Sequence, residues 1–282
     1  MDCGRAPGSL RHVQQQIDIL GLPIKTFGVM FAIGFLAAGA IIWRRLQELE
    51  RPKDWAYEMV FAALVGGLVG SRLYWVVQHW SEVSDDFPSS LFSGSGLVWY
   101  GGAAGGVLGV ILWAWWRKFL TLDLLDTCAT PLALGYAIGR IGCQLSGDGD
   151  YGQPSSLPWA MPYPRGTVPT NTDVHPTPLY ETLTMGLVAW WLWRNRDTFK
   201  AGVLFAFYLV FSGTERFLVE FIRRNATDEI GLTVPQITAL VMIVAGIVWI
   251  VLIGRRDGTI RRPEADRAPG RAAYLQRRAA AA

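Results

Sequence analysis

Apolar residues run along this chain in long, nearly unbroken blocks, separated by short stretches rich in arginine, glycine and proline. Seven blocks stand out, at about Thr26–Trp43, Trp55–Val77, Gly96–Trp116, Leu122–Cys143, Pro178–Trp193, Gly202–Phe221 and Pro235–Ile253. Roughly 17–25 apolar residues cross a bilayer as a helix, and each block is close to that length. The pattern predicts an all-α, polytopic membrane helical bundle of about seven transmembrane helices. Asp123 and Asp126 near the start of the fourth block weaken that span.

Composition agrees: 51% of the residues are hydrophobic and 17% charged, too apolar for an ordinary soluble domain of this length. The net charge of +3 adds little, because the information lies in its distribution. Segments after the first, third, fifth and seventh blocks carry 17 Lys and Arg, against 5 in the segments on the other side. The positive-inside rule places the richer side in the cytoplasm. The N-terminus is then outside, the C-terminus inside, and the Asp148–Thr177 loop extracytoplasmic. The first long apolar run starts after residue 23 and spans, so no cleavable signal peptide is expected. The first 23 residues read as a short interfacial helix. Residues 1–254 read as one membrane domain, and residues 255–282, with eight arginines, as a mobile basic tail drawn to anionic lipid. Cys3, Cys128 and Cys143 are too few and too scattered for a disulfide framework or a zinc site; Cys128 reads as a small core residue.

Charged residues at block ends carry the candidate chemistry. Arg140 lies in Gly139-Arg140-Ile141-Gly142-Cys143-Gln144-Leu145-Ser146, followed by Gly147-Asp148-Gly149-Asp150. A charge at a bilayer centre costs about 2.5–3.5 kcal/mol on the mildest scale, so it usually has a partner or a task. Arg140 can grip a phosphate with its planar fork, with glycines letting the backbone approach a ligand, or it can snorkel to headgroups. Arg216 and Glu220 are four residues apart and share a helix face. That pair reads either as a structural ion pair or, with Arg140 on the same side, as half of an anion site. His175-Pro176-Thr177-Pro178-Leu179-Tyr180-Glu181 punctuates a helix start, where the macrodipole favours Glu181, and His175 can titrate near neutral pH. Gly101, Gly102, Gly105, Gly106 and Gly109 read as close helix packing, and Tyr100 beside them as aromatic belt or site. Gly66-Gly67-Leu68-Val69-Gly70-Ser71-Arg72 combines small-residue packing with a further arginine, and Glu58 at the other end of that helix reads as interfacial.

Together these motifs resemble the prolipoprotein diacylglyceryl transferase family, seven-helix bacterial membrane enzymes, over about residues 17 to 253. The resemblance rests on Gly139-Arg140-Ile141-Gly142 with its acidic turn, His175-Pro176 with Leu179-Tyr180-Glu181, Arg216 with Glu220-Phe221 and Arg223, and Gly70-Ser71-Arg72-Leu73. It implies transfer of the diacylglyceryl group of phosphatidylglycerol to the lipobox cysteine thiol of a preprolipoprotein, with glycerol phosphate leaving. Several positions depart from the family pattern: Tyr100 stands where most members have histidine before Gly101-Gly102, and Cys143 where they have asparagine. Asp148 stands for a glutamate, Asp150 is an extra residue before Tyr151-Gly152, and Phe27 replaces a tyrosine. The chain thus reads as a divergent member.

Given that chemistry, the residues themselves suggest roles. Arg140 and Arg216 hold the phosphate, with Arg72 as a third candidate, and Glu220 aligns Arg216. Tyr100 is a poor base as a neutral phenol but can donate a hydrogen bond to the phosphate. Asp148 or His175 can take the thiol proton, with Asp148 ranked ahead. Gly101, Gly102, Gly142, Cys143, Ser146 and Tyr180 line the substrate. No cofactor or metal is required; Asp148 and Asp150 alone are too few to argue for one. The implied partners are phosphatidylglycerol, preprolipoprotein signal peptides and membrane lipids, with no nucleic acid, in the bacterial cytoplasmic membrane. Two alternatives stand beside this: a paralogue with the same donor and another acceptor, and a non-catalytic lipid-binding or transport protein.

Overall fold

The computed structural model describes residues 15–19, 22–80, 98–225 and 231–263. These residues are mostly helical. Seven helices cover the seven apolar blocks: α1 (Thr26–Glu48), α2 (Trp55–Gln78), α3 (Trp99–Trp116), α4 (Leu122–Ser146), α5 (Thr177–Arg194), α6 (Val203–Glu220) and α7 (Val234–Asp257). Three of them, α1, α2 and α7, are long and apolar enough by length and composition to cross a membrane. Large apolar side chains stand exposed along the helices, among them Leu36, Val77, Trp115, Leu187 and Leu252. A surface of this kind suits lipid and not water.

Local chemistry accounts for the helix ends. Asp123 falls in the first turn of α4, where a carboxylate meets the positive end of the dipole; the acids that weakened this block in the sequence favour its start. Thr233 caps α7 reciprocally: its hydroxyl accepts from Gln236 N at 3.3 Å, and Gln236 Oε1 accepts from Thr233 N at 2.9 Å.

The all-α expectation needs two additions. β1 (Gln16–Ile19) and β2 (Leu22–Lys25) form an antiparallel hairpin in register Gln16 to Lys25, where an interfacial helix was expected; residues before 15 lie outside the described part. β3 (Met161–Tyr163) and β4 (Thr170–Val174) form a second antiparallel pair inside the loop between α4 and α5. Extended segments pair there because a long loop must satisfy its own backbone groups.

The chain divides into two compact units, residues 1–38 with 129–262, and residues 39–128 with 263–282; the divisions fall inside α1 and α4. In the second unit α2 lies directly on α3. A Cβ on Gly105 would meet the Gly66 carbonyl oxygen and come within 2.8 Å of Gly70 Cα, so the glycine stripe is a packing surface. Ile42, Leu46, Met59, Trp113 and Phe119 form this unit's apolar core. Glu58, expected at the interface, accepts from Trp113 Nε1 at 2.8 Å and Arg117 Nε at 2.7 Å.

In the first unit Ala133, Ala137, Met185, Leu192 and Leu204 pack α4, α5 and α6 together. Gly246 of α7 meets α6 so closely that a Cβ would lie 2.6 Å from the Ala206 oxygen. Residues 255–262, expected as the start of the tail, are structured. α7 continues to Asp257, and Lys200 N and Arg262 N bond to Ile260 O and Thr198 O at 3.0 and 2.9 Å. Backbone pairing keeps this stretch folded; residues from 264 onward lie outside the described part.

Candidate active site

The site lies in the first unit, where α4 and α6 end and α5 begins. Beyond α4 the chain turns back through Gly147 and Gly149, at φ 57° and 96°, a region that favours glycine. Gly152 then threads a narrow gap: a Cβ there would lie 2.5 Å from Ile222 O and 2.9 Å from His175 Cβ. Gly152 N donates to His175 O at 2.8 Å, Gln153 N to Ile222 O at 2.8 Å, and Thr177 Oγ1 to Asp150 O at 2.5 Å. These bonds sew the acidic turn to the start of α5 and the end of α6. Tyr151 is buried beneath it, stacked on Tyr163 with ring centroids 4.7 Å apart.

This stitching brings three arginines onto one carboxylate. Glu181 of α5 is fully buried. Its oxygens lie 2.5 Å from Arg140 Nε, 3.4 Å from Arg216 Nη1 and 3.3 Å from Arg223 Nη1. Asp150 bridges Arg140 and Arg223 from the loop side. Glu220 pairs with Arg216 Nη2 at 2.8 Å and accepts from Asn225 Nδ2 at 2.6 Å. Three guanidiniums thus face Asp150, Glu181 and Glu220. Buried charges persist only when paired in this way, and the pairing fixes the direction of each fork. A guanidinium has five N–H donors, and these contacts leave capacity for an anion.

The two loop aspartates have opposite environments. Burial would raise the Asp150 carboxyl, but Arg140 and Arg223 outweigh it and hold it below the usual carboxylate range. Asp148 is pushed up, first by burial and then by the charge of Asp150. Asp148 Oδ1 accepts from Asp150 N at 3.3 Å. Two carboxyls two residues apart are therefore split: Asp150 is held ionised by its arginines, and Asp148 is pushed toward its protonated form. Cys143 Sγ and the carboxylate oxygens of Asp148 and Asp150 lie within 4.8 Å of one another. A metal ion there would stand beside the two guanidiniums already on Asp150.

The remaining expected residues divide. Arg140, Asp148, Arg216 and Glu220 belong to this region, and Cys143 Sγ lies 3.7 Å from Arg140 Nη1. His175 and Tyr180 meet on the loop side: the Tyr180 hydroxyl is 3.3 Å from His175 Nδ1 and accepts from Trp159 Nε1 at 2.7 Å. Two expected substrate contacts have neighbours within the chain. Gly142 makes room for Met30, whose Cβ would be 3.1 Å from an added Cβ, and Ser146 Oγ donates to Cys143 O at 3.2 Å within its own helix. Arg72, Tyr100, Gly101 and Gly102 belong to the second unit. Arg72 is buried, its guanidinium 4.3 Å from the Trp75 ring centroid. Gly101 lies against Gly70 and Tyr74, and Gly102 against Ser71, so both serve helix packing. Tyr100 is half-exposed.

Glu181, Asp150 and Arg223 were not among the expected site residues. Glu181 is the fifth residue of α5, past its first turn, so the helix dipole does not explain it. The sequence carried a partial signal: three arginines at the ends of two apolar blocks require buried carboxylates, but Asp148, Asp150, Glu181, Glu215 and Glu220 all stood as candidates.

A family model described as prolipoprotein diacylglyceryl transferase matches residues 14–252. Several curated proteins named phosphatidylglycerol--prolipoprotein diacylglyceryl transferase are similar. The Clostridium tetani protein is 30% identical over 233 residues, covering 82% of this chain and 93% of its own length. The Geobacter sulfurreducens protein is 31% identical over 261 residues, covering 87% and 97%. The Pseudomonas fluorescens protein is 33% identical over 261 residues, covering 83% and 94%.

Proposed function

Because the chain belongs to the prolipoprotein diacylglyceryl transferase family, we propose that it moves the diacylglyceryl group of phosphatidylglycerol to a prolipoprotein cysteine thiol. One observation carries the reading: Glu181 gathers Arg140, Arg216 and Arg223 beside the Asp148 turn. An anionic phosphodiester needs such aligned cations, and a thiol needs such a proton acceptor.

The thiol sulfur attacks the glyceryl carbon that bears the phosphate ester. A C–S bond forms as the C–O bond breaks, and glycerol phosphate leaves with the bonding electrons. Arg140 and Arg216 stabilise the phosphate as it gains charge; their forks are already aligned by Glu181 and Glu220, so little reorganisation accompanies the step. The thiol, with an ordinary pKa of about 8.5, gives its proton to Asp148, whose raised carboxyl suits it as acceptor.

The same reading sets the protein in the bacterial cytoplasmic membrane with seven spans, the N-terminus outside and the C-terminus inside. The unequal distribution of Lys and Arg supports that orientation, and it puts the Asp148–Thr177 loop where a translocated signal peptide meets outer-leaflet lipid.

The test is complementation of a strain depleted of its own transferase, with a purified-protein assay using phosphatidylglycerol and a lipobox peptide. Growth and a diacylglyceryl-modified peptide are the expected results. Lipid binding without peptide modification would leave a non-catalytic binder, and modification of another acceptor a paralogue.

A further inference from the structure

We propose that Tyr136 and Glu215 form a subsite for the ester carbonyls of the donor lipid, next to the phosphate on Arg140 and Arg216. This rests on the transferase reading above and assigns residues that it does not use.

Both side chains have buried polar atoms left over. Among the described residues, the Tyr136 hydroxyl and both carboxyl oxygens of Glu215 have no hydrogen-bond partner. Glu215 is only 7% exposed, and Arg216 beside it turns to Glu181 and Glu220 instead. Buried polar groups are rarely left unpaired, and each exception calls for an explanation. The neighbourhood is that of the arginines: Arg140 Cζ lies 4.9 Å from the centroid of the Tyr136 ring, and Glu215 interacts electrostatically with Arg140, Arg216, Glu181 and Tyr136.

Position along the helices points to the ligand. Tyr136 is one turn before Arg140 on α4, and Glu215 is five residues before Glu220 on α6. Side chains on a helix lean toward its N-terminus. Both α4 and α6 run toward the acidic loop, so Tyr136 is attached one turn, and Glu215 one residue, farther from that loop than Arg140 and Arg216 of the same helices. In a glycerophospholipid the phosphate is followed, toward the tails, by the glyceryl carbons and two ester carbonyls. With the phosphate on the arginines, the esters come to the level of Tyr136 and Glu215. An ester carbonyl only accepts; Tyr136 supplies an O–H, and Glu215 supplies another when it carries a proton. Two such bonds would fix the glyceryl carbon at which sulfur replaces oxygen.

The full-length protein in vesicles is given diacyl phosphatidylglycerol or its dialkyl ether counterpart, which has the same headgroup and charge but no ester carbonyls. A lipobox peptide is the acceptor. Wild type should favour the diacyl donor in kcat/KM by about tenfold or more, as sites built to hydrogen-bond a substrate do. Tyr136→Phe, which removes one hydroxyl, should shrink that preference severalfold, and Glu215→Leu likewise. Glu215→Gln keeps an N–H donor in place and should retain the preference. Equal kcat/KM for the two donors in wild type overturns the subsite, as does a preference unchanged in both Tyr136→Phe and Glu215→Leu. If Glu215→Leu does not fold, Tyr136→Phe decides alone. Absence of transfer from both donors tells against the transferase reading, and native mass spectrometry of bound lipid then decides the subsite. Retention of the diacyl over the dialkyl lipid supports it, and equal retention overturns it.

Discussion

Arg140 Nε of α4 and Glu181 Oε2 of α5 lie 2.5 Å apart, and the carboxylate is fully buried. Each offsets the burial of the other, and Glu181 serves Arg216 and Arg223 as well. The carboxylate is therefore the hub that orients the proposed phosphate-binding arginines.

Glu181→Gln keeps the shape and removes the charge. Three guanidiniums then lose their common partner in a low-dielectric setting, a loss of about 3–5 kcal/mol for a broken buried pair. A lower melting temperature in detergent and a loss of peptide modification are expected together. A variant that melts and transfers like wild type would show the hub to be dispensable.

Arg140→Lys preserves charge but not the planar fork. Transfer should fall roughly 10²–10³-fold, the scale for losing one donor to a developing anion, while membrane insertion stays normal. Near-wild-type rates in purified membranes would return Arg140 to a structural role.

The two loop aspartates should respond oppositely to pH. The Asp150 carboxyl is held below its ordinary range, so its stabilising contribution is present above the unfolded-state pKa and is lost as pH falls through the folded value. The stability gap between wild type and Asp150→Asn should be wide at pH 7 and close in acid. Asp148 is shifted up, so its ionised form is the less stable partner. Its contribution is present below the unfolded-state pKa and fades as pH rises through the folded value. As proton acceptor it must be ionised, so transfer should fall on the acid side, and Asp148→Asn should lower the rate and flatten that limb. An unaltered pH–rate profile in Asp148→Asn would exclude it as the acceptor.

Gly105→Ala tests the packing of α2 on α3. The added methyl would meet the Gly66 carbonyl oxygen, and the overpacking should cost about 1–3 kcal/mol. Thermal unfolding in detergent measures it; an unchanged midpoint would mean that the helices separate easily.

The positions of the seven helices were legible in the sequence because each is a run of apolar residues long enough to fold on its own backbone bonds. The pairing of Arg216 with Glu220 was legible for a similar reason: a spacing of four fixes it within one helix. The glycine stripe of α3 could likewise be read as packing from local composition. The hairpins were not legible, since their pairing depends on loop backbone groups seeking partners and not on any apolar run. Nor was the centre of the site. Glu181 is 41 residues from Arg140 and 42 from Arg223 in the chain, and no periodicity relates them. Only folding brought them together: the turn at Gly147 and Gly149 swung Asp150 back over Arg140, and bonds from that loop drew α5 and α6 to the end of α4. Burial then made the carboxylate decisive, because three cations removed from water must find anions, wherever the chain supplies them.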